Sequence, residues 1–265
     1  MDDVLIIDAH CHVGRQQPPE WPWNDFESII ARVDLLGFDK VCTLGEHDYQ
    51  MELLAKYPDW VIPCACAIHV HYPAHEIWAE LERCHQAGFK CVGELAAAYP
   101  YMRYPVTGPN WRPVYEFAEK HNWSVSFHSD HSGGPEWCSP TAMGKVAEWY
   151  PSVPFIINHC GVDDPHGIEE SIQVAMTHDN IYLEISSTAA RYGTVEQLVS
   201  RLGSDRLMFA TDGPALDFAR ELGQVAYARI PDADKENIFG LNFARLLHMR
   251  PEELKRKRPG DLPEN

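Results

Sequence analysis

Val4-Leu5-Ile6-Ile7-Asp8-Ala9-His10-Cys11-His12 is an aliphatic run that ends in an acid and two imidazoles. The run predicts a strand from Val4 to His10, and Gly14 opens a loop just beyond it. Successive strand side chains point to opposite faces, so Asp8, His10 and His12 share one face. Two imidazoles at i and i+2, aimed into one cavity, are a ready chelate for zinc or a similar divalent ion. Cys11, between them, points the other way and reads as packing.

Working outward, short β-rich runs alternate with helical stretches. The later strands are Lys40 to Leu44, Val61 to Ile68, Lys90 to Leu95, Ser124 to His128, Phe155 to His159, Ile181 to Ile185 and Leu207 to Thr211. Helical patterns lie between them: Phe26 to Leu36, Met51 to Tyr57, Ala74 to Ala87, Val114 to His121, Thr141 to Tyr150, Ile168 to Met176 and Val195 to Leu202. Two more, Phe218 to Tyr227 and Ala233 to Leu247, finish the chain. This alternation predicts βαβ units and a parallel sheet. Eight such units in 265 residues favour a closed (β/α)8 barrel, an α/β TIM barrel in a single domain, which typically needs ~250 residues. The first strand-to-helix turn carries no GxGxxG, which argues against a dinucleotide-binding sheet. We expect the barrel to span residues 1–250 and a C-terminal tail, 251–265, to be loosely held.

The formal net charge is −17, from 39 acidic and 22 basic residues, and such a surface repels phosphate backbones and anionic lipid. The expected partner is a small-molecule substrate, with no nucleic acid and no membrane. No apolar run reaches the ~18 residues of a membrane span, and the N-terminus lacks the pattern of a secretory signal. The 8 cysteines include no CxxC pair, and several lie in apolar runs, which predicts buried free thiols in a reducing cytoplasm.

Other strands end in the same chemistry. Strand five ends in Ser126-Phe127-His128, strand six in Ile157-Asn158-His159, and strand eight runs into Ala210-Thr211-Asp212. Strand four ends in Val92-Gly93-Glu94-Leu95, with Glu94 on the face of Val92. In a barrel all of these ends meet at the C-terminal rim, where active sites lie. A lone buried histidine is usually a hydrogen-bonded core residue, and Glu94 could pair with a lysine or arginine instead. Convergence from separate strands favours a site.

HxH on strand one, His on strands five and six and Asp on strand eight resemble the amidohydrolase superfamily, in the amidohydrolase-related branch that contains hydrolases and non-oxidative decarboxylases. Gly240-Leu241-Asn242-Phe243-Ala244-Arg245-Leu246 is similar to that branch's closing helix. The resemblance implies that His10, His12 and Asp212 bind one divalent ion, with His128 joining them in a one-ion site. It implies Asp212 as the general base toward metal-activated water, and His159 as a catalytic residue that polarises the substrate or becomes a ligand. In two-ion relatives a bridging carboxylate stands where Glu94 does, which leaves one ion or two open. Zn2+ is the expected metal and Mn2+ the alternative. The implied reaction is cleavage of an amide, lactone or ester bond, with non-oxidative decarboxylation of an aromatic or unsaturated acid as the alternative.

Asp8 is expected to orient a ligand. His131, on the loop after strand five, and Arg191 and Tyr192, after strand seven, are candidate substrate contacts, Arg191 because its planar fork suits a carboxylate. Trp21, Trp23, Tyr99, Tyr101 and Tyr104 sit on loops at the expected rim. His69 and His71 read as surface or packing residues. A homodimer is the expected assembly.

Overall fold

The strands are β1 (Ile7–His12), β2 (Lys40–Leu44), β3 (Val61–Ala65), β4 (Cys91–Leu95), β5 (Ser124–His128), β6 (Phe155–Asn158), β7 (Ile181–Glu184) and β8 (Leu207–Met208). They pair in parallel, in sequence order, in one eight-stranded sheet. The structure, a computed structural model, describes residues 4–15, 25–96, 102–129, 137–162, 164–188 and 192–254. Across the seam between β8 and β1, Ala9 N donates to Phe209 O (3.2 Å), His12 N to Gly213 O (2.7 Å) and Asp212 N to His10 O (2.9 Å). The sheet is thus the expected (β/α)8 barrel.

Helices α1 (Phe26–Leu35), α2 (His47–Lys56), α3 (Ala74–Gln86), α4 (Arg112–His121), α5 (Pro140–Trp149), α6 (Pro165–Thr177), α7 (Thr194–Leu202) and α8 (Phe218–Ala226) follow the strands in turn. Several start where a capping side chain satisfies the first free N–H groups. Asp25 accepts from Ser28 N, Ser139 from Ala142 N, Asp164 from Gly167 N and Asp217 from Arg220 N. Pro140 and Pro165 follow two of these caps, so α5 and α6 begin earlier than their apolar periodicity suggested.

Helix α2 also begins earlier, at His47, because that ring is fixed from outside the helix. Its Nδ1–H donates to Glu80 Oε1 (2.6 Å) and its Nε2 accepts from Ala67 N (3.1 Å). Glu80 also accepts from Arg83 Nη2 (2.6 Å). The His47 bond, with help from Arg83 and against burial, pulls the Glu80 carboxyl down to about 2 from 4.5. A depressed carboxyl contributes stability above its unfolded value, lost as pH falls from 4.5 through 2. We expect Glu80→Gln to cost about 1 kcal/mol at neutral pH, a modest figure because the group is partly solvated. Urea unfolding at stepped pH should show the gap to wild type narrowing below 4.5. A gap independent of pH would contradict this assignment.

Two apolar layers hold the fold. The larger lies between sheet and helices and includes Phe38, Trp111, Phe127, Phe155 and Phe209. The smaller fills the barrel with Leu5, Ile7, Leu44, Ile62, Ile156 and Met208 and is plugged at the N-terminal end by Phe243 and Leu247. Each such side chain contributes about 1.5–3 kcal/mol on full burial. The plug is α10 (Asn242–Leu246) with Leu247 just after it, reached through α9 (Asp232–Glu236) and a π turn at Asn237–Leu241. Gly240 lies so close to β1 that a Cβ there would sit 2.7 Å from Leu5 O. The plug overlaps the expected closing helix. All eight cysteines are free and buried. No described helix is long and apolar enough to cross a membrane. Beyond the barrel, α11 (Pro251–Leu254) is tied back by Glu253 Oε1 to Lys90 Nζ at 2.8 Å.

β3, expected to reach Ile68, ends at Ala65, and β8 is shorter as well. β8 was expected to reach Thr211 but stops at Met208. Past that point the backbone leaves the β7 ladder. Phe209 N donates to Ile238 O, Thr211 N turns to the Asp8 carboxylate, and Asp212 adopts φ 53°.

Candidate metal centre

Asp8 joins the two strands that supply the principal donors. Its buried carboxylate accepts from Thr211 N (2.9 Å), Thr211 Oγ1 (2.5 Å) and His10 N (3.1 Å). Burial pushes the Asp8 carboxyl up to about 7, against those hydrogen bonds. This fastens His10 on β1 and the segment after β8 that carries Asp212 to a common support. Asp212 sits in the left-handed region, where a short polar side chain is better tolerated than most.

The result is a close donor group. His10 Nε2 lies 3.1 Å from His12 Nε2 and 3.5 Å from Asp212 Oδ1, and His12 Nε2 lies 3.1 Å from Asp212 Oδ1. Ligand atoms at about 2.1 Å from one ion stand roughly 3.0 Å apart in octahedral and 3.4 Å apart in tetrahedral geometry. The three side chains therefore fit a common divalent ion as they stand.

Glu94, buried on β4, stands between that group and two further histidines. Its Oε2 is 3.8 Å from His10 Nε2 and 3.9 Å from His12 Nε2. Its Oε1 is 3.0 Å from His128 Nδ1 and 3.1 Å from His159 Nε2. Gly93 makes this approach feasible, since a Cβ there would meet Ser126 Oγ at 2.2 Å and the residue holds φ +119°. Among the described residues, the donor sets closing to within 4.8 Å here are His10–His12–Asp212 and His10–Glu94–His159. His128 belongs to neither, but pairs with Glu94.

The electrostatics favour a cation. Burial would disfavour a charged His10, yet Glu94, Glu184 and Asp212 outweigh it and raise the ring to about 10. Burial would likewise raise the Glu94 carboxyl, but His10, His128 and His159 hold it well below its ordinary value. Asp212 is lowered in the same way by His12, His10 and His159. Carboxylates that bind a proton on His10 this strongly attract a divalent cation for the same reason.

Two contributors escaped the sequence reading. Glu184, the last residue of β7, is buried and lies 3.4 Å from His10 Nδ1. It accepts from His159 N (3.3 Å) and from Ser186 N. Asn158 Nδ2 lies 3.3 Å from His10 Nδ1 and 3.4 Å from Glu94 Oε1. A glutamate ending an apolar strand was the signal available for Glu184, as it was for Glu94. His159 is held at φ 62°, with Nδ1 2.9 Å from Ser186 Oγ.

The expected substrate contacts are less complete. Tyr192 stands 89% exposed at the turn before α7. His131, Arg191, Trp21, Trp23, Tyr99 and Tyr101 lie outside the described residues. His69 stacks on Tyr72 with ring centroids 4.9 Å apart, and His71 meets the edge of Tyr104 at 6.2 Å.

Comparison with known proteins bears on the fold and the family. An uncharacterized TIM-barrel protein from Bordetella bronchiseptica superposes with a TM-score of 0.76 at 17% identity, covering 92% of this chain and 99% of that one. A probable 2-pyrone-4,6-dicarboxylic acid hydrolase from Acinetobacter baumannii, with citric acid bound, gives 0.69 at 16% identity, covering 94% and 100%. A 5-carboxyvanillate decarboxylase from Novosphingobium aromaticivorans, complexed with manganese, gives 0.71 at 14% identity, covering 94% and 97%. At these identities the likeness shows the barrel and nothing finer. No protein of curated function matches the sequence. A sequence profile described as Amidohydrolase matches residues 7–249, so nearly the whole chain carries the family pattern. The chain belongs to the amidohydrolase family of enzymes.

Proposed function

We propose that this enzyme is a metal-dependent hydrolase that cleaves an amide, lactone or ester bond of a small molecule. The observation that carries the reading is Glu94, with one carboxylate oxygen toward His10 and His12 and the other toward His128 and His159. That disposition suits a carboxylate shared by two ions. His10, His12 and Asp212 would hold one, and His128 and His159 the other; the nitrogen and oxygen donors suit Zn2+ or Mn2+. When bound, a divalent ion lowers the pKa of water from 15.7 to about 7 and polarises a carbonyl oxygen.

The chain's own groups then handle the proton. The depressed Asp212 carboxyl is ionised at neutral pH, and at 19% exposure it reaches the open side of the cluster. It accepts a proton from the attacking water and passes it to the leaving group. Ser186 and Glu184 fix the ring and backbone of His159, keeping its Nε2 turned toward the reacting centre. The acidic surface supports a small-molecule substrate over nucleic acid or anionic lipid, and the free thiols support a reducing, cytoplasmic setting.

A second reading, decarboxylation of an aromatic or unsaturated acid, is favoured by the way His10, His12 and Asp212 close on a single position without help from Glu94. Metal stoichiometry, with product analysis on a panel of lactones, esters, amides and aromatic acids, separates the two. Two ions per chain and hydrolytic products are expected. One ion and release of carbon dioxide would replace hydrolysis with decarboxylation.

A further inference from the structure

We propose that the barrel interior beneath the active site holds a separate, cysteine-based site, formed by Cys42, Cys64, Cys91 and Ser124, for one thiophilic divalent ion of the zinc group. It does not depend on the catalytic reading above. The three Sγ atoms, all buried, lie within 4.8 Å of one another. Strand register puts them there. Cys64 on β3 is opposite Cys91 on β4, and Cys91 is opposite Ser124 on β5, so three neighbouring strands present S, S and O in one row. Cys42 on β2 sits one inward step from Leu44, the partner of Cys64.

Two further observations point to an occupant. Ser124 is fully buried and its Oγ has no hydrogen-bond partner, which is unfavourable unless something in the interior meets it. The same four residues line a cavity of about 10 Å³, near the minimum for a single water-sized atom. Asn158 and Glu184 form its boundary with the catalytic cluster.

The donor chemistry selects the ion. Four ligands at about 2.3 Å in tetrahedral array place sulfurs roughly 3.8 Å apart, so thiols within 4.8 Å of one another need to close by at most about one ångström. The described lining includes no lysine, arginine or histidine, so the ion itself must offset the thiolates. A divalent ion leaves one net negative charge on three thiolates, whereas a monovalent ion leaves two. Binding is proton exchange without redox change: M2+ and three Cys–SH give one three-thiolate complex and three protons released to solvent, with the Ser124 hydroxyl a neutral fourth donor.

Cd2+ is the probe, because its bonds to thiolate absorb in the ultraviolet while the imidazole and carboxylate donors of the catalytic cluster give no such band. Wild-type chain refolded with Cd2+ is expected to gain this absorption, saturating at one equivalent of thiolate-bound ion. The band should persist in His12→Ala and disappear in Cys91→Ser or Cys42→Ser. Should those variants fail to fold, alkylation of the wild type in mild denaturant, with and without Cd2+ and read by mass spectrometry, should find Cd2+ slowing the reaction of Cys42, Cys64 and Cys91 together and leaving that of Cys84, which is buried away from them, unchanged. Refolded wild type with native circular dichroism but no thiolate band would overturn the proposal and leave the cavity to a water. A band unaffected by both cysteine variants, or protection of other cysteines instead, would overturn it equally.

Discussion

Asp212→Asn is expected to lower turnover by roughly 10²–10⁴-fold while leaving the fold intact. The substitution is nearly isosteric, and asparagine tolerates the left-handed backbone that Asp212 adopts at φ 53°. The backbone bond from residue 212 N to His10 O survives, so the β8–β1 seam is undisturbed. Two things are lost. The amide cannot take up a proton, and the cluster forfeits one of the negative charges that raise His10. Metal affinity should weaken as well, so turnover must be compared at saturating metal, with content measured by elemental analysis. Retained ion with lost turnover identifies Asp212 as the proton-transfer group. Turnover within a few-fold of wild type at full occupancy would remove it from that role.

Glu184→Gln is expected to weaken metal binding by roughly 10–100-fold without touching a direct ligand. The Glu184 carboxylate accepts from His159 N and Ser186 N and stands beside His10 Nδ1, so a single acid positions two of the donor rings. A glutamine offers one acceptor where two N–H groups need one each, and its amide then opposes a backbone donor. A buried mismatch of this kind also costs stability, about 1–3 kcal/mol. The diagnostic is a split: affinity for Mn2+ or Zn2+, measured by competition with a chelator, falls, while kcat at saturating metal recovers most of its value. A variant that is merely less stable would leave the metal affinity of its folded fraction unchanged, and that result would reduce Glu184 to a packing role.

How far the sequence could be read depended on the range of the forces involved. The barrel was legible because strand and helix periodicity are local, and because the rim chemistry of His10, His12, Glu94, His128, His159 and Asp212 lies at the ends of apolar runs. Boundaries were less legible where a distant group intervenes. Helix α2 starts at His47 because Glu80 and Ala67 hold that ring, and β8 stops at Met208 because Asp8, some 203 positions away, captures Thr211. Glu184 was overlooked for a related reason. Its partners, His10, His159 and Ser186, come from three segments, and no local pattern distinguishes an orienting glutamate from a buried ion pair. The row Cys64, Cys91, Ser124 was equally invisible, since only strand register brings it together.

Crystals of the protein loaded with Mn2+ or Zn2+, with the ion located by anomalous scattering, test the central claim most directly. The arrangement predicts an ion about 2.0–2.3 Å from His10 Nε2, His12 Nε2 and an oxygen of Asp212. A metal-loaded crystal with no ion touching all three side chains would contradict it.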